Sequence, residues 1–175
     1  MHHSELRAQL ERYHHEGYGW ALGCCSRDPS EAESVLQTVY LKILEGKARF
    51  DGKSTFKTWL FAVIRKTAID ERRQRFFQRL WLADHGEVAA PTAVAERADD
   101  ALYRSELQAL FRAALAELPA RQREALQLVF YHDLSIQEAA GVMGVSIGSA
   151  RTHYERGKKR LRQWIEGSKI FDETE

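Results

Sequence analysis

The sequence predicts an all-α fold of two small helical domains joined by a flexible linker. Apolar residues recur at helical spacing and nowhere alternate with period two for long. Periodicity fails over residues 78–104, where Gly86, Pro91 and many alanines stand without strong apolar anchors. Charge is also segregated. The net charge is +1, yet residues 47–79 hold ten Lys/Arg against three acids and residues 147–169 hold seven against two. Residues 83–106 reverse the sign, with six acids against two bases. The domains are expected at 1–77 and 105–175, with 78–104 as the linker.

In the first domain, "DPSEAESVLQTVYLKIL" opens as a helix. Asp28 can cap, Pro29 suits the first helical position, and Glu31 stands where a capping box places an acid. Val35, Leu36, Val39, Tyr40, Ile43 and Leu44 then fall on one face, and Gly46 ends the helix. "FDGKST" is a turn built on Asp51-Gly52, with Ser54 or Thr55 available to cap the next helix. That helix carries Phe56, Trp59, Leu60, Val63, Ile64 and Thr67 at helical spacing and becomes dense in arginine toward its far end.

In the second domain, Leu107, Leu110, Phe111, Ala114 and Leu118 restore the helical period, and Pro119 punctuates it. Ala125, Leu126, Val129 and Phe130 form the next stripe. Ser135 and Glu138 make a capping box, followed by Ile136, Ala139, Ala140 and Met143. Ala140 is small enough for a second helix to cross closely. Gly144 stands where the chain needs a left-handed residue, Val145 can plug the corner, and Ser146 can cap the last helix. There Ile147, Ala150, Tyr154, Leu161 and Trp164 form the inward stripe, while Gly148, Thr152, Glu155, Arg156 and Lys159 share the opposite face. That outer face offers donors, one carboxylate and no large apolar group. Its N-terminal half suits a major groove and its cationic C-terminal half suits phosphates. An αα-hairpin with a solvated basic face is the plainer alternative.

Composition narrows the function classes. No apolar run approaches the ~20 residues that span a bilayer, and the N-terminus lacks the apolar core of a signal peptide. A cytoplasmic protein without membrane insertion is expected. Cys24 and Cys25 are adjacent, so a disulfide between them would be strained. Together with His14 and His15 they match no compact metal-ligand spacing, and no metal or other cofactor is expected. No carboxylate cluster suited to two metals, activated serine or glycine-rich phosphate loop points to catalysis, so no catalytic residue is expected. Two basic blocks separated by an acidic stretch fit two contacts with one polyanion, or two solvated helix faces.

Read together, "AESVLQTVYLKIL", "RFDGKSTFKTWLFAVIRKTAIDERRQR" and "LPARQREALQLVFYHDLSIQEAAGVMGVSIGSARTHYERGKKRL" resemble the extracytoplasmic-function (ECF) sigma factors. These form group four of the sigma-70 family of bacterial RNA polymerase sigma subunits. The likeness runs from about residue 8 to 166. It implies that the first domain is region two, a helical bundle that binds the β′ clamp helices of core RNA polymerase and melts the −10 element. The second would be region four, a helix-turn-helix that reads the −35 element and touches the β-flap. The resemblance also implies an anti-sigma factor or another regulator. The acidic linker fits a segment that mimics nucleic acid in a basic channel, or simply a soluble tether.

By the same resemblance, Phe50, Asp51, Lys53, Ser54 and Phe56 form the loop that receives a flipped −10 base, and Arg65, Lys66, Arg72, Arg73 and Arg75 line that DNA. Trp59 and Leu60 are read as core. Ser149, Arg151, Thr152, His153, Glu155, Arg156 and Lys159 align with the −35 contacts. Glu33, Ser34, Leu36, Gln37, Thr38 and Tyr40 align with the polymerase-binding helix. Four positions depart from the family pattern. Lys66 replaces a frequent asparagine, His153 a frequent arginine, and Ser34 and Thr38 stand where acids are usual. Fewer carboxylates should weaken docking on a basic clamp helix, and phosphorylation at Ser34 or Thr38 would restore charge, unless the hydroxyls suffice. The competing function is a stand-alone helix-turn-helix regulator that binds operator DNA without polymerase.

Overall fold

A computed structural model describes residues 3–84, 109 and 111–167. Every regular element among them is helical. The chain divides into two compact units, residues 1–95 and 96–175. Most of the expected linker lies outside the described residues.

The first unit comprises α1 (His3–Arg12), α2 (His14–Cys24), α3 (Pro29–Leu44) and α4 (Phe56–Asp84). Helices α2, α3 and α4 pack on one another around Trp20, Val35, Val39, Leu60, Phe61 and Ile64, all fully buried. Trp20 is fixed twice. Its ring stacks on Phe61 at 5.8 Å, and its Nε1 donates to the Phe61 carbonyl at 3.0 Å. A buried indole N–H left without an acceptor would carry a desolvation cost, so this bond sets the register of α2 on α4.

Asp28 caps α3 as the sequence predicts, accepting from the Ser30 and Glu31 amides at 2.9 and 3.1 Å. The Glu31 side chain does not complete a capping box. It turns away to pair with Arg75 on α4. Gly46 takes φ +71° past the end of α3. Leu44, expected on the core face, is 52% exposed, because Ile43 occupies the inward position at that level. Helix α4 continues through residue 84, past the boundary expected at 77.

The second unit comprises α5 (residues 111–116), α6 (Ala120–Leu126), a π-helical turn (Gln127–Tyr131), α7 (Ile136–Met143) and α8 (Ile147–Gly167). Its core joins Leu115, Leu118 and Leu126 to Tyr154 and Leu161 of α8. Two α6 arginines secure helix ends. Arg123 donates to the Ala116 carbonyl at 3.2 Å, and Arg121 to the Met143 carbonyl at 3.1 Å.

The π-helical turn departs from the expected α-helical stripe. The His132 amide reaches back to the Gln127 carbonyl at 3.2 Å, which admits one more residue per turn. The changed phase puts Phe130 on the surface, 58% exposed, with its ring 5.6 Å from Tyr154.

Candidate nucleic-acid interface

Helices α7 and α8 form a helix-turn-helix whose corner is held by several local bonds. The Ser135 hydroxyl accepts from the Glu138 amide at 3.2 Å, and the Glu138 carboxylate accepts from the Ser135 amide at 2.9 Å. Both halves of the expected capping box are therefore present. Gly144 adopts φ +65° and ψ +40°. The Val145 amide then donates to the Ala140 carbonyl at 3.1 Å, closing a C-terminal cap of the Schellman type. Ser146 accepts from the Ser149 amide at 3.1 Å and starts α8. Ala140 and Ala150 are buried at the crossing of the two helices.

The outer face of α8 exposes Gly148, Ser149, Arg151, Thr152, Glu155, Arg156 and Lys159. All the expected −35 residues except His153, which is half-buried, are thus solvent-exposed. Lys158 pairs with Glu155 at 3.5 Å and lies over the Tyr154 ring at 5.0 Å. Lys159, Arg160 and Arg162 extend the exposed cationic strip. Ile147 was expected inside but is 47% exposed, because it lies at the edge of the stripe where α8 leaves the corner. Gly157 was missed. It is buried against α6, where a Cβ would lie 3.0 Å from Leu126 Cδ1 and 3.2 Å from the Gln122 carbonyl oxygen. Its place one turn after Tyr154 and one before Leu161 was the available signal.

In the first unit, the 50–56 loop is backed by an aromatic cluster. Phe50 lies 5.5 Å from Phe56 and 5.4 Å from Trp59, and Phe56 also stacks on Tyr13 at 6.0 Å. Phe56 is buried and Phe50 half-buried, so Phe56 can only shape the loop from beneath. Gly52 turns the chain at φ +75°. Asp51 accepts from the Lys53 amide at 3.2 Å and pairs with the Lys53 ammonium at 3.1 Å. These bonds, the amide first, hold its carboxyl below the usual range. Thr55, rather than Ser54, caps α4 by accepting from the Thr58 amide at 3.2 Å.

The basic residues of α4 have unequal settings. Lys66 and Arg73 are exposed, and Arg65 is half-buried. Arg72 donates to the Cys24 carbonyl at 2.9 Å. Arg75 is half-buried and pairs with Glu31 and, at 3.8 Å, with Glu71. It thereby bridges α3 and α4.

On α3, Glu33, Ser34 and Gln37 are exposed, Thr38 and Tyr40 half-buried, and Leu36 buried in the core. Ser34 donates to Glu71 at 3.5 Å. Tyr40 shares a 2.8 Å hydrogen bond with His14 Nδ1, and burial raises its phenol pKa. Leu41, 58% exposed, stands one turn after Gln37 with Leu44 nearby, adding an apolar ridge to this face. Its isolation from the inward stripe was the sequence signal. The Cys25 thiol is pushed up to about 11, first by burial and next by the Glu31 charge. Among the described residues no group of three or more His, Cys, Asp or Glu could hold a metal ion. No described helix is long and apolar enough to cross a membrane.

A glycine-cornered helix-turn-helix with a cationic outer helix defines a DNA-binding module, here accompanied by a separate cationic helical bundle. The family comparisons specify the class. Residues 10–76 match the model for sigma-70 region 2, and residues 108–161 match that for sigma-70 region 4. The chain is 30% identical to the ECF RNA polymerase sigma factor SigX of Bacillus subtilis (strain 168) over 158 residues, 89% of this chain and 81% of SigX. It is 33% identical to the ECF sigma factor SigF of Caulobacter vibrioides over 136 residues, 77% of this chain and 71% of SigF. Among solved structures it is similar to the sigma factor RpoE from Bartonella quintana, in complex with the anti-sigma factor NepR. That likeness has 25% identity and a TM-score of 0.71, covering 93% of this chain and 97% of RpoE. The chain belongs to the ECF RNA polymerase sigma factors of the sigma-70 family.

Proposed function

We propose that this chain binds core RNA polymerase and selects promoters through two contacts on one DNA molecule. In the second unit, Ser149, Arg151, Thr152, Glu155 and Arg156 face the −35 major groove, with His153 at its edge and Lys159 on phosphate. In the first unit, the 50–56 loop receives an unstacked −10 base, with Phe50, Asp51, Lys53 and Ser54 at its rim and Phe56 beneath. Arg65, Lys66, Arg72 and Arg73 support the strand. The exposed face of α3, from Glu33 to Leu44, docks on the β′ clamp helices, and the second unit touches the β-flap. Thr38 and Tyr40 border the α3 face, and Leu36 supports it from the core.

The protein itself breaks no bond. It works in the cytoplasm as a subunit of the polymerase, under an anti-sigma factor or comparable regulator. The solved RpoE–NepR complex supports such a partner. Residues 1–77 serve as region two and 105–175 as region four, with the intervening segment as linker.

The carrying observation is the occurrence of both modules in family order on separate compact units. A footprinting experiment tests the reading. Core polymerase and the full chain together should protect −35 and −10 sequences at a promoter, while neither does so alone. Tight, specific protection by the chain without core would instead make it a stand-alone regulator.

A further inference from the structure

We propose that Thr152 reads a thymine in the −35 element through its γ-methyl group, making it a specificity-determining residue for that base. The inference rests on the −35 reading of α8. It begins with a hydrogen bond: Thr152 Oγ1 donates to the Gly148 carbonyl at 2.9 Å. A threonine hydroxyl has one hydrogen, and here the helix backbone takes it. None remains to donate to thymine O4 or to guanine O6 and N7.

Two chemistries remain at this side chain. The oxygen lone pairs can accept from an adenine or cytosine amino group, or the methyl can pack on the C5-methyl of thymine. The geometry favours the second. The bond fastens the oxygen against the backbone one turn back, and the methyl is the group on this exposed side chain that it leaves uncommitted. The approach is open, because Gly148 carries no side chain and a Cβ there would have Ser146 Oγ at 4.0 Å as its nearest neighbour. Ser149 contrasts with Thr152. Its oxygen accepts from Ser146 at 2.9 Å, leaving its own hydrogen to donate. Two positions three residues apart on α8 therefore offer a donor and an apolar group.

The test uses the full chain with core polymerase on a promoter from which the pair initiates. Each −35 thymine is replaced in turn by uracil, which removes only the C5-methyl, and relative affinities are read by competition. In the wild type one replacement should weaken binding about fourfold, the weight of one buried methylene-sized group. Thr152→Val keeps a methyl and removes the hydroxyl, so it should retain this discrimination. Thr152→Ser removes the methyl, so it should bind thymine and uracil equally at that position.

Three outcomes would overturn the proposal: no methyl-sensitive thymine, discrimination that survives in Thr152→Ser, or discrimination lost in Thr152→Val. The last would assign reading to the hydroxyl. Failure of chain and core to bind any promoter would overturn the −35 reading itself, and the proposal with it.

Discussion

Replacing Gly157 by alanine sets two opposing effects against each other. In an open helix interior the change should stabilise by about 0.8–1 kcal/mol, because alanine loses less backbone entropy on folding. Here the added Cβ would stand 3.0 Å from Leu126 Cδ1, 3.2 Å from Leu126 Cγ and 3.2 Å from the Gln122 carbonyl oxygen. Carbon–carbon contacts are most favourable at about 3.5–4.0 Å, so α8 must move away from α6 or Leu126 must leave its rotamer. Leu126 is only 2% exposed, and a helix carbonyl cannot rotate aside. Overpacking of this kind costs roughly 1–3 kcal/mol, which should outweigh the gain and leave a net loss of about 1 kcal/mol. Gly148→Ala is the control on the same helix. Its Cβ would lie 4.0 Å from Ser146 Oγ, so it should gain up to about 0.5 kcal/mol. Native-state hydrogen exchange on the full chain can separate them. Amides of α6 and α8 should exchange about fivefold faster in Gly157→Ala and no faster in Gly148→Ala. Equal or greater protection in Gly157→Ala would refute the close helix crossing.

Other predictions concern charge and accessibility. Arg73→Ala should weaken promoter binding by the holoenzyme with little change in stability, whereas Arg75→Ala should destabilise the first unit by about 1 kcal/mol, the upper end for a partly exposed ion pair. Denaturation and promoter titration of both variants test that division. Lys159→Ala and Arg160→Ala should each lower the log–log salt dependence of DNA binding by about 0.9, while Arg156→Ala should flatten preference at one −35 base. The Cys25 thiol, raised from 9.0 to about 11, should hold about a hundredfold less thiolate at pH 8 than an unperturbed thiol. Alkylation at Cys25 should stay slow until unfolding and accelerate as pH approaches 11. Asp51 shifts in the opposite sense. Its depressed carboxyl stabilises the folded turn above the ordinary carboxylate pKa, and that contribution is lost as pH falls through the lower folded value. Thr38→Glu should tighten binding to core polymerase; unchanged affinity would show that the missing acid has no role there.

The locally encoded features were legible in the sequence. Asp28, Ser135, Gly144 and Ser146 act through residues within a few positions, so their chemistry reads directly from spacing. Features set by chain folding were less accessible. Arg73 and Arg75 are the same residue type two positions apart, but only Arg75 meets Glu31 from another helix. A buried glycine has no hydropathy signal, so Gly157 was hidden within a basic run. The π-helical turn follows from a change in backbone register, which apolar periodicity did not reveal, and it carried Phe130 to the surface. Leu41 interrupted a polar face as a single residue, and its pairing with Leu44 became visible only when Leu44 proved exposed.

Run-off transcription is the most direct test of the whole account. Purified chain and core polymerase, mixed with genomic fragments from the source organism, should yield discrete transcripts whose upstream DNA shares two spaced elements, with none from core alone. Failure of an active core to start at any such site when this chain is added would contradict the account.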